Sequence, residues 1–306
     1  MAMVRICAGL SSPNCVVPPG TSTVRPDPAC AQLCRREVPQ GSTTAGGRVG
    51  LRGCAASDVR YVKLPAMSKI VTVWAPKGGV GKTTLAYEIA YALGAVLVDL
   101  EWDDGGARVQ WGMRQPEASE RARLLRGFRT GQAPRPLRAE RRPDLVPGHP
   151  DLEDELPEPE RLVELLQKWA VAWDRPFVVI DTHPGSGRAG RGALAAADLV
   201  LVPTVLRTKE LNALAGAVVE YRDFPLLVVP NMVPPAPPAK ELDRLQGIVR
   251  SAGVPVGPPV RNHPWWARRQ IPSAITAHPS TAVPASVPEA WQQLWKLTQE
   301  VQRRAG

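Results

Sequence analysis

Residues 76–84 read Pro-Lys-Gly-Gly-Val-Gly-Lys-Thr-Thr, and they concentrate the groups in this chain that could do chemistry. Gly78, Gly79 and Gly81 let the backbone turn tightly and bring its N–H groups onto one anion. Lys82 and Thr83 follow directly. A lysine and a hydroxyl at that spacing serve the β- and γ-phosphates of a nucleotide and a Mg²⁺ ion. The general pattern is G-x-x-x-x-G-K-[ST]. Its leading glycine would fall at position 76, which is Pro76. A second lysine, Lys77, stands inside the loop, and phosphate binding within one chain leaves it without a role.

Carboxylates elsewhere suit the same ion. Asp181 follows the apolar run Phe-Val-Val-Ile, where an acid at a strand end holds Mg²⁺ directly or through water. Asp99 and Glu101 close the run Ala-Val-Leu-Val-Asp-Leu-Glu. In an open parallel sheet, ligands bind at the carboxyl ends of the strands, where such acids fall. His183 invites comparison with a catalytic base, but a loop histidine without an evident partner reads as incidental. His149, His263 and His278 are scattered and suggest no metal site.

These side chains need strands to carry them. "SKIVTVWAP" (68–76), "AVLVDLEWDDGG" (95–106), "FVVIDTHPG" (177–185), "AADLVLVPT" (196–204) and "FPLLVVPNMV" (224–233) predict strands, several of them apolar throughout, as parallel strands buried on both faces are. "DLVPG" (144–148) predicts a short strand and "VPVGPPV" (254–260) a last one. Helices are predicted at "TTLAYEIAYALG", "SERARLLRGFRTG", "PERLVELLQKWAVAW", "RTKELNALAGAVVEYR", "AKELDRLQGIVRSAG" and "PEAWQQLWKLTQEVQRR". Strands alternating with helices give a doubly wound, mostly parallel α/β sheet with helices on both faces. The expected fold class is a P-loop NTPase: a single domain over 67–306, preceded by a disordered segment.

That segment, residues 1–66, is rich in Pro, Gly, Ser and Thr and shows no period of 2 or 3.6. Such a stretch buries too little apolar surface to offset its ordering entropy. It reads either as a regulatory tail or as sequence upstream of a start at Met67. It holds all five cysteines, which excludes a disulfide framework or an iron–sulfur cluster in the body. The net charge is +9, more than half of it in these first residues, so the body is only mildly basic. Basicity permits an anionic partner. No signal peptide and no membrane span are evident, and a cytoplasmic location is expected.

Taken together, the segments resemble the ParA/MinD group of deviant Walker A ATPases, and within it the short ParA-type partition ATPases that lack an N-terminal helix-turn-helix. "KGGVGKTT" matches the group's loop; "VLVDLEWDDGGA", "LLRGFRTGQAPRPLR…PDLVPGHPDL", "FVVIDTHPG", "AADLVLVPTVLRTKELNAL" and "VVPNMV" are similar to its later segments, over residues 67 to about 300. The resemblance implies an ATPase, slow and partner-stimulated, that uses ATP and Mg²⁺. It implies that Lys77 reaches across a homodimer interface to the partner's ATP. Asp99 and Glu101 would place the ion and the attacking water, Gly78 to Thr84 (Val80 and Thr84 included) would cradle phosphate, Thr83 and Asp181 would hold Mg²⁺, and Asn231 would contact adenine. Glu101 replaces the usual Asp, and its longer arm could move the water.

The function implied is partition of a plasmid or chromosome. ATP closes a dimer that binds DNA without sequence preference, a ParB-like protein stimulates hydrolysis, and the protein is nucleoid-associated. Candidate phosphate contacts are Arg207, Lys209, Arg244, Arg250, Arg261, Arg268 and Arg269, with the Arg-rich run 108–142. The alternative is a MinD-like positioning ATPase at the membrane. Trp291, Leu294, Trp295, Thr298 and Val301 share one face of the last helix and could dip into a bilayer, although such spacing usually means packing on a sheet. Nitrogenase-type reductases would need cluster cysteines. The related tyrosine kinases would need a C-terminal Tyr cluster, and here the last Tyr is Tyr221.

Overall fold

The computed structural model describes residues 3–4, 62–63, 68–103, 105–113, 122–269, 271–277 and 287–306. The chain divides into two units, 1–66 and 67–306. In the first, Met3–Val4 pairs antiparallel with Val62–Lys63. The rest of that unit, with the disorder expected for it, lies outside the described residues.

The second unit is built on six parallel strands: β1 (Lys69–Val73), β2 (Val96–Leu100), β3 (Asp144–Val146), β4 (Phe177–Thr182), β5 (Leu199–Thr204) and β6 (Leu226–Pro230), in the order β3-β2-β4-β1-β5-β6. Nine helices occur among the described residues: α1 (Lys82–Ala92), α2 (Gly106–Gln110), α3 (Arg123–Thr130), α4 (Leu152–Glu155), α5 (Pro159–Trp173), α6 (Arg188–Ala196), α7 (Thr208–Glu220), α8 (Ala239–Ala252) and α9 (Val287–Ala305).

Alternation along the strands splits the core between the two faces. Val71, Val73, Leu97, Val179, Leu201 and Val229 pack with Leu85 and Ile89 of α1 and with Leu294, Leu297 and Val301 of α9. The opposite residues, such as Ile70, Val98, Val178 and Ile180, pack with Leu162, Leu165 and Trp169 of α5 and with Ala189 and Ala193 of α6. Val200, Val202 and Val228 meet Leu211, Leu214 and Val218 of α7 and Leu245 of α8. The sheet is thus covered on both faces, as a parallel sheet requires.

One element differs from expectation. Residues 254–260 form no strand; they touch the sheet through a single bridge, Val228 to Val256. Pro255, Pro258 and Pro259 have no N–H to give a ladder. The last helix, α9, turns its apolar face inward: Leu294, Leu297, Thr298 and Val301 are buried, leaving Trp295 as its exposed large hydrophobic side chain. Of the face that could have dipped into a bilayer, Leu294, Thr298 and Val301 pack on the core, as their spacing led one to expect, while Trp291 is half-buried and Trp295 exposed.

Candidate nucleotide site

β1 ends at Val73 and α1 begins at Lys82, so residues 74–81 form the loop between them. Its path is pinned from two sides. On one, the Trp74 indole donates to the Gly185 carbonyl at 2.7 Å, and Gly185 N–H donates to the Ala75 carbonyl at 3.1 Å. On the other, the buried Asn231 amide donates to the Val80 carbonyl at 2.8 Å. The turn needs left-handed backbone at Gly79 (φ 74°) and Gly81 (φ 86°). At Gly81 a Cβ would stand 2.3 Å from Asn231 Nδ2. Asn231 thus braces the loop from beneath.

Lys82, the first residue of α1, is buried. Burial lowers its pKa, and the carboxylates of Asp181 and Glu101 push it back up. Half-buried Thr83 and Thr84 follow, at the positive end of the helix. The bend of the loop leaves Gly78 and Gly79 exposed, together with Lys77, which makes no ion pair among the described residues.

Sheet register brings the acids together. Asp99 of β2 lies directly opposite Asp181 of β4, and Asp181 opposite Val73 at the end of β1. Both carboxylates are fully buried, and burial is the first cause that raises the pKa of each. Asp99 is pushed up to about 6. Its oxygens are nonetheless satisfied: one accepts Glu101 N–H at 3.1 Å, the other Arg108 N–H at 2.8 Å. Asp99 therefore ties its own strand end to α2. Gly106 and Gly148 make room for this, since a Cβ on Gly106 would be 2.9 Å from Asp99 Oδ2 and one on Gly148 would be 2.4 Å from the Glu101 carbonyl.

Asp181 is different. Neither of its oxygens makes a hydrogen bond of ordinary geometry, and the Thr83 hydroxyl and Lys82 ammonium nearby only partly relieve its charge. A buried carboxylate left this way calls for a cation. Hard oxygen donors, Asp181 and the Thr83 hydroxyl, are what Mg²⁺ prefers, so the residues present fit that ion. Glu101 is also buried, and its pKa is raised by burial; His183 and Lys82 offset this.

Glu101, not Asp99, lines the open side. A cavity of about 480 Å³ is bounded by Gly78, Gly79, Gly81, Lys82, Thr83, Glu101 and Asp103. A neighbouring one of about 510 Å³ runs from Thr83 and Thr84 to Trp266, Arg269 and Pro272. The size and lining of the first suit a polyphosphate, with room for a larger group in the second.

His183 is far from incidental. Its ring stacks on Trp102, centroids 3.9 Å apart, and its Nε2 faces Asp103 and Glu101. Sequence alone gives no role to Trp102, Asp103, Gly106 or Gly148. The run of acids after β2 is their one visible signal.

The candidate DNA contacts scatter. Arg207, Lys209 and Arg244 are exposed around α7 and α8, with Arg244 hydrogen-bonded to Asn212 of α7. Arg250 is exposed at the far end of α8, as is Arg268 in the 266–268 turn. Arg261 is exposed but paired with Glu289 at 2.9 Å. Arg269 is mostly buried, 3.9 Å from Glu88 and bonded to Ser273, so it faces inward. Within the Arg-rich run, Arg108 is buried, Arg129 pairs with Glu155, Arg138 with Asp144, and Arg142 lies over the Trp111 ring.

A glycine-rich loop between a central parallel strand and a helix, with buried acids at the neighbouring strand ends, is the arrangement of a P-loop fold. No family model matches the chain. The "Probable plasmid-partitioning protein ParA" of Thermus thermophilus is 29% identical over 236 residues, 68% of this chain and 72% of that one. Among solved structures, a Cyanothece McdA–ATP complex superposes with a TM-score of 0.61 at 16% identity, over 78% of this chain and 96% of that one. The septum site-determining protein MinD of Pyrococcus horikoshii OT3, complexed with Mg-ADP, gives 0.59 at 18% identity, over 78% and 98%. The chain is of the ParA/MinD type in fold, and its sequence is similar to that of a ParA.

Proposed function

We propose that this chain is a ParA-type partition ATPase that binds ATP with Mg²⁺, dimerises on it, and in that state binds DNA without sequence preference. The observation that carries the reading is the contrast between two lysines of one loop. Lys82 is buried among carboxylates, and Lys77 is exposed at the start of the same loop. A cation so placed can serve a phosphate held by another copy of the chain, as an arginine finger does. The similarity to a plasmid-partitioning ParA supports the biological setting.

In this reading the N–H groups of Gly78 to Thr83 and the Lys82 ammonium hold the phosphates, and Asn231 fixes the loop that presents them. Thr83 and Asp181 would hold Mg²⁺, which supplies charge neutralisation across the β- and γ-phosphates. Glu101, on the open side of the cavity, orients the attacking water and receives its proton. Asp99 positions Glu101 and α2 through the two N–H bonds it accepts. The domain is residues 67–306, with 1–66 as an appended segment. A ParB-like protein stimulates turnover, and the nucleoid is the site of action.

The test compares wild type, Lys82→Ala and Lys77→Ala by sedimentation and by binding to duplex DNA of arbitrary sequence. Wild type should dimerise and bind DNA with ATP and not with ADP. Lys82→Ala should do neither, and Lys77→Ala should bind ATP but lose hydrolysis and ATP-dependent dimerisation. Normal turnover by Lys77→Ala would return that lysine to a surface charge and sink the reading.

A further inference from the structure

The loops after β2 and β4 meet at a cluster that lines the nucleotide cavity and shares Glu101 with the proposed reaction. His183 Nδ1 lies 3.0 Å from the Pro184 carbonyl. A carbonyl only accepts, so Nδ1 carries the hydrogen in that contact. The other ring nitrogen, Nε2, then faces Asp103 Oδ2 at 3.3 Å and Glu101 Oε1 at 3.5 Å. Carboxylate oxygens also only accept. Glu101 Oε1 is buried and makes no hydrogen bond among the described residues. A proton on Nε2 can serve the Asp103 carboxylate at 3.3 Å, but one N–H does not also satisfy the buried Glu101 Oε1, which is left facing the cluster without a hydrogen bond and calls for a cation.

We propose that Glu101, Asp103 and His183 form a site for a divalent transition-metal ion of the Zn²⁺ type, separate from the Mg²⁺ held with nucleotide. The three donor atoms lie within 4.8 Å of one another. Tetrahedral coordination at zinc bond lengths places ligand atoms about 3.3 Å apart, so two of the three separations already fit. One imidazole with two carboxylates suits Zn²⁺ or Co²⁺, whereas Mg²⁺ prefers oxygen alone. The histidine is oriented as metal-bound histidines are, with its second nitrogen given to a carbonyl. The Trp102 ring stacked on it at 3.9 Å fixes the plane of the imidazole. Three protein ligands leave the fourth position for water or for an oxygen of a bound molecule. A bound ion would join the loop that carries Glu101 to the loop two residues beyond Asp181.

Co²⁺ titration of the full chain without nucleotide or Mg²⁺ tests the site. Nitrogen and oxygen ligation gives visible d–d bands without the near-ultraviolet charge-transfer bands of thiolate ligation, so the N-terminal cysteines are told apart from this cluster. We expect one Co²⁺ per chain with d–d bands of that kind, displaced by Zn²⁺. They should be lost in His183→Ala and weakened at least tenfold in affinity in Asp103→Asn, a near-isosteric change at an exposed side chain. Absent bands, bands of thiolate character alone, or bands unchanged by both substitutions would each overturn the assignment. The measurement involves no ATP, so its failure leaves the ATPase reading untouched.

Discussion

Asp99 and Glu101 stand two residues apart and do different work, because only one of them has its oxygens filled. Glu101→Gln keeps the size and removes the base. It should lower ATP turnover at least a hundredfold while leaving ATP affinity within a few fold, as measured by single-turnover hydrolysis beside nucleotide titration. Asp99→Ala should act first on stability, by about 1–3 kcal/mol, since it strands the Glu101 and Arg108 N–H groups, and urea unfolding would show it. Gly81 is a comparable point of no tolerance. Gly81→Ala meets both a left-handed backbone and the Asn231 amide at 2.3 Å, so nucleotide binding should be lost even where the protein still folds. The residues of the loop were legible from sequence because phosphate chemistry demands a fixed local order. The role of Asn231 as a brace was not, since it depends on a contact between residues 151 positions apart.

Elements show the same division. Strands β1, β2, β4, β5 and β6 stood out as apolar runs ending in turn residues or acids, and α5 fell on its predicted limits because Pro159 opens it. Helix α6 was not singled out. Its Gly190 and Gly192 argue against a helix by propensity, yet a Cβ on Gly192 would come within 2.7 Å of Leu162, so this glycine allows α5 to approach, while one on Gly190 would come within 2.7 Å of the Gly185 carbonyl. Packing overrode propensity there, and no local pattern announces it. At the other end of the chain, α9 carries an electrostatic device. Hydrogen bonds from Arg303 and Arg304 hold Glu300 down to about 2, below the usual 4.5. A depressed carboxylate stabilises the fold fully above its unfolded value and loses that contribution as pH falls from about 4.5 toward 2. Exposure limits the effect to about 1 kcal/mol or less. Wild type should therefore lead Glu300→Gln slightly in thermal stability at pH 7, and the gap should narrow below about pH 4.5 and close only near pH 2.

For the whole molecule, the expectation concerns where charge is left over. Many arginines are committed to internal partners, which leaves Arg207, Lys209 and Arg244 around α7 and α8 as the most compact exposed basic group among the candidates. If these three meet phosphates in the ATP-bound state, changing all three to Ala should weaken DNA binding equally for any sequence. It should also flatten the slope of log K against log salt by roughly 3, one per phosphate lost. An unchanged slope would move the DNA surface elsewhere. A different long-range link starts at α1, whose head carries Lys82, Thr83 and Thr84. On its flank the Tyr87 hydroxyl donates to the Pro272 carbonyl at 2.5 Å, and the buried Glu88 carboxylate accepts Ile275 N–H at 2.9 Å and Thr276 N–H at 3.1 Å. The helix is in effect a shaft with cargo lashed to its side. Loading its head with a nucleotide analogue should slow amide exchange at Ile275 and Thr276, and cutting the lashing with Glu88→Ala, which removes both acceptors, should let that segment drift free of the motor it is moored to.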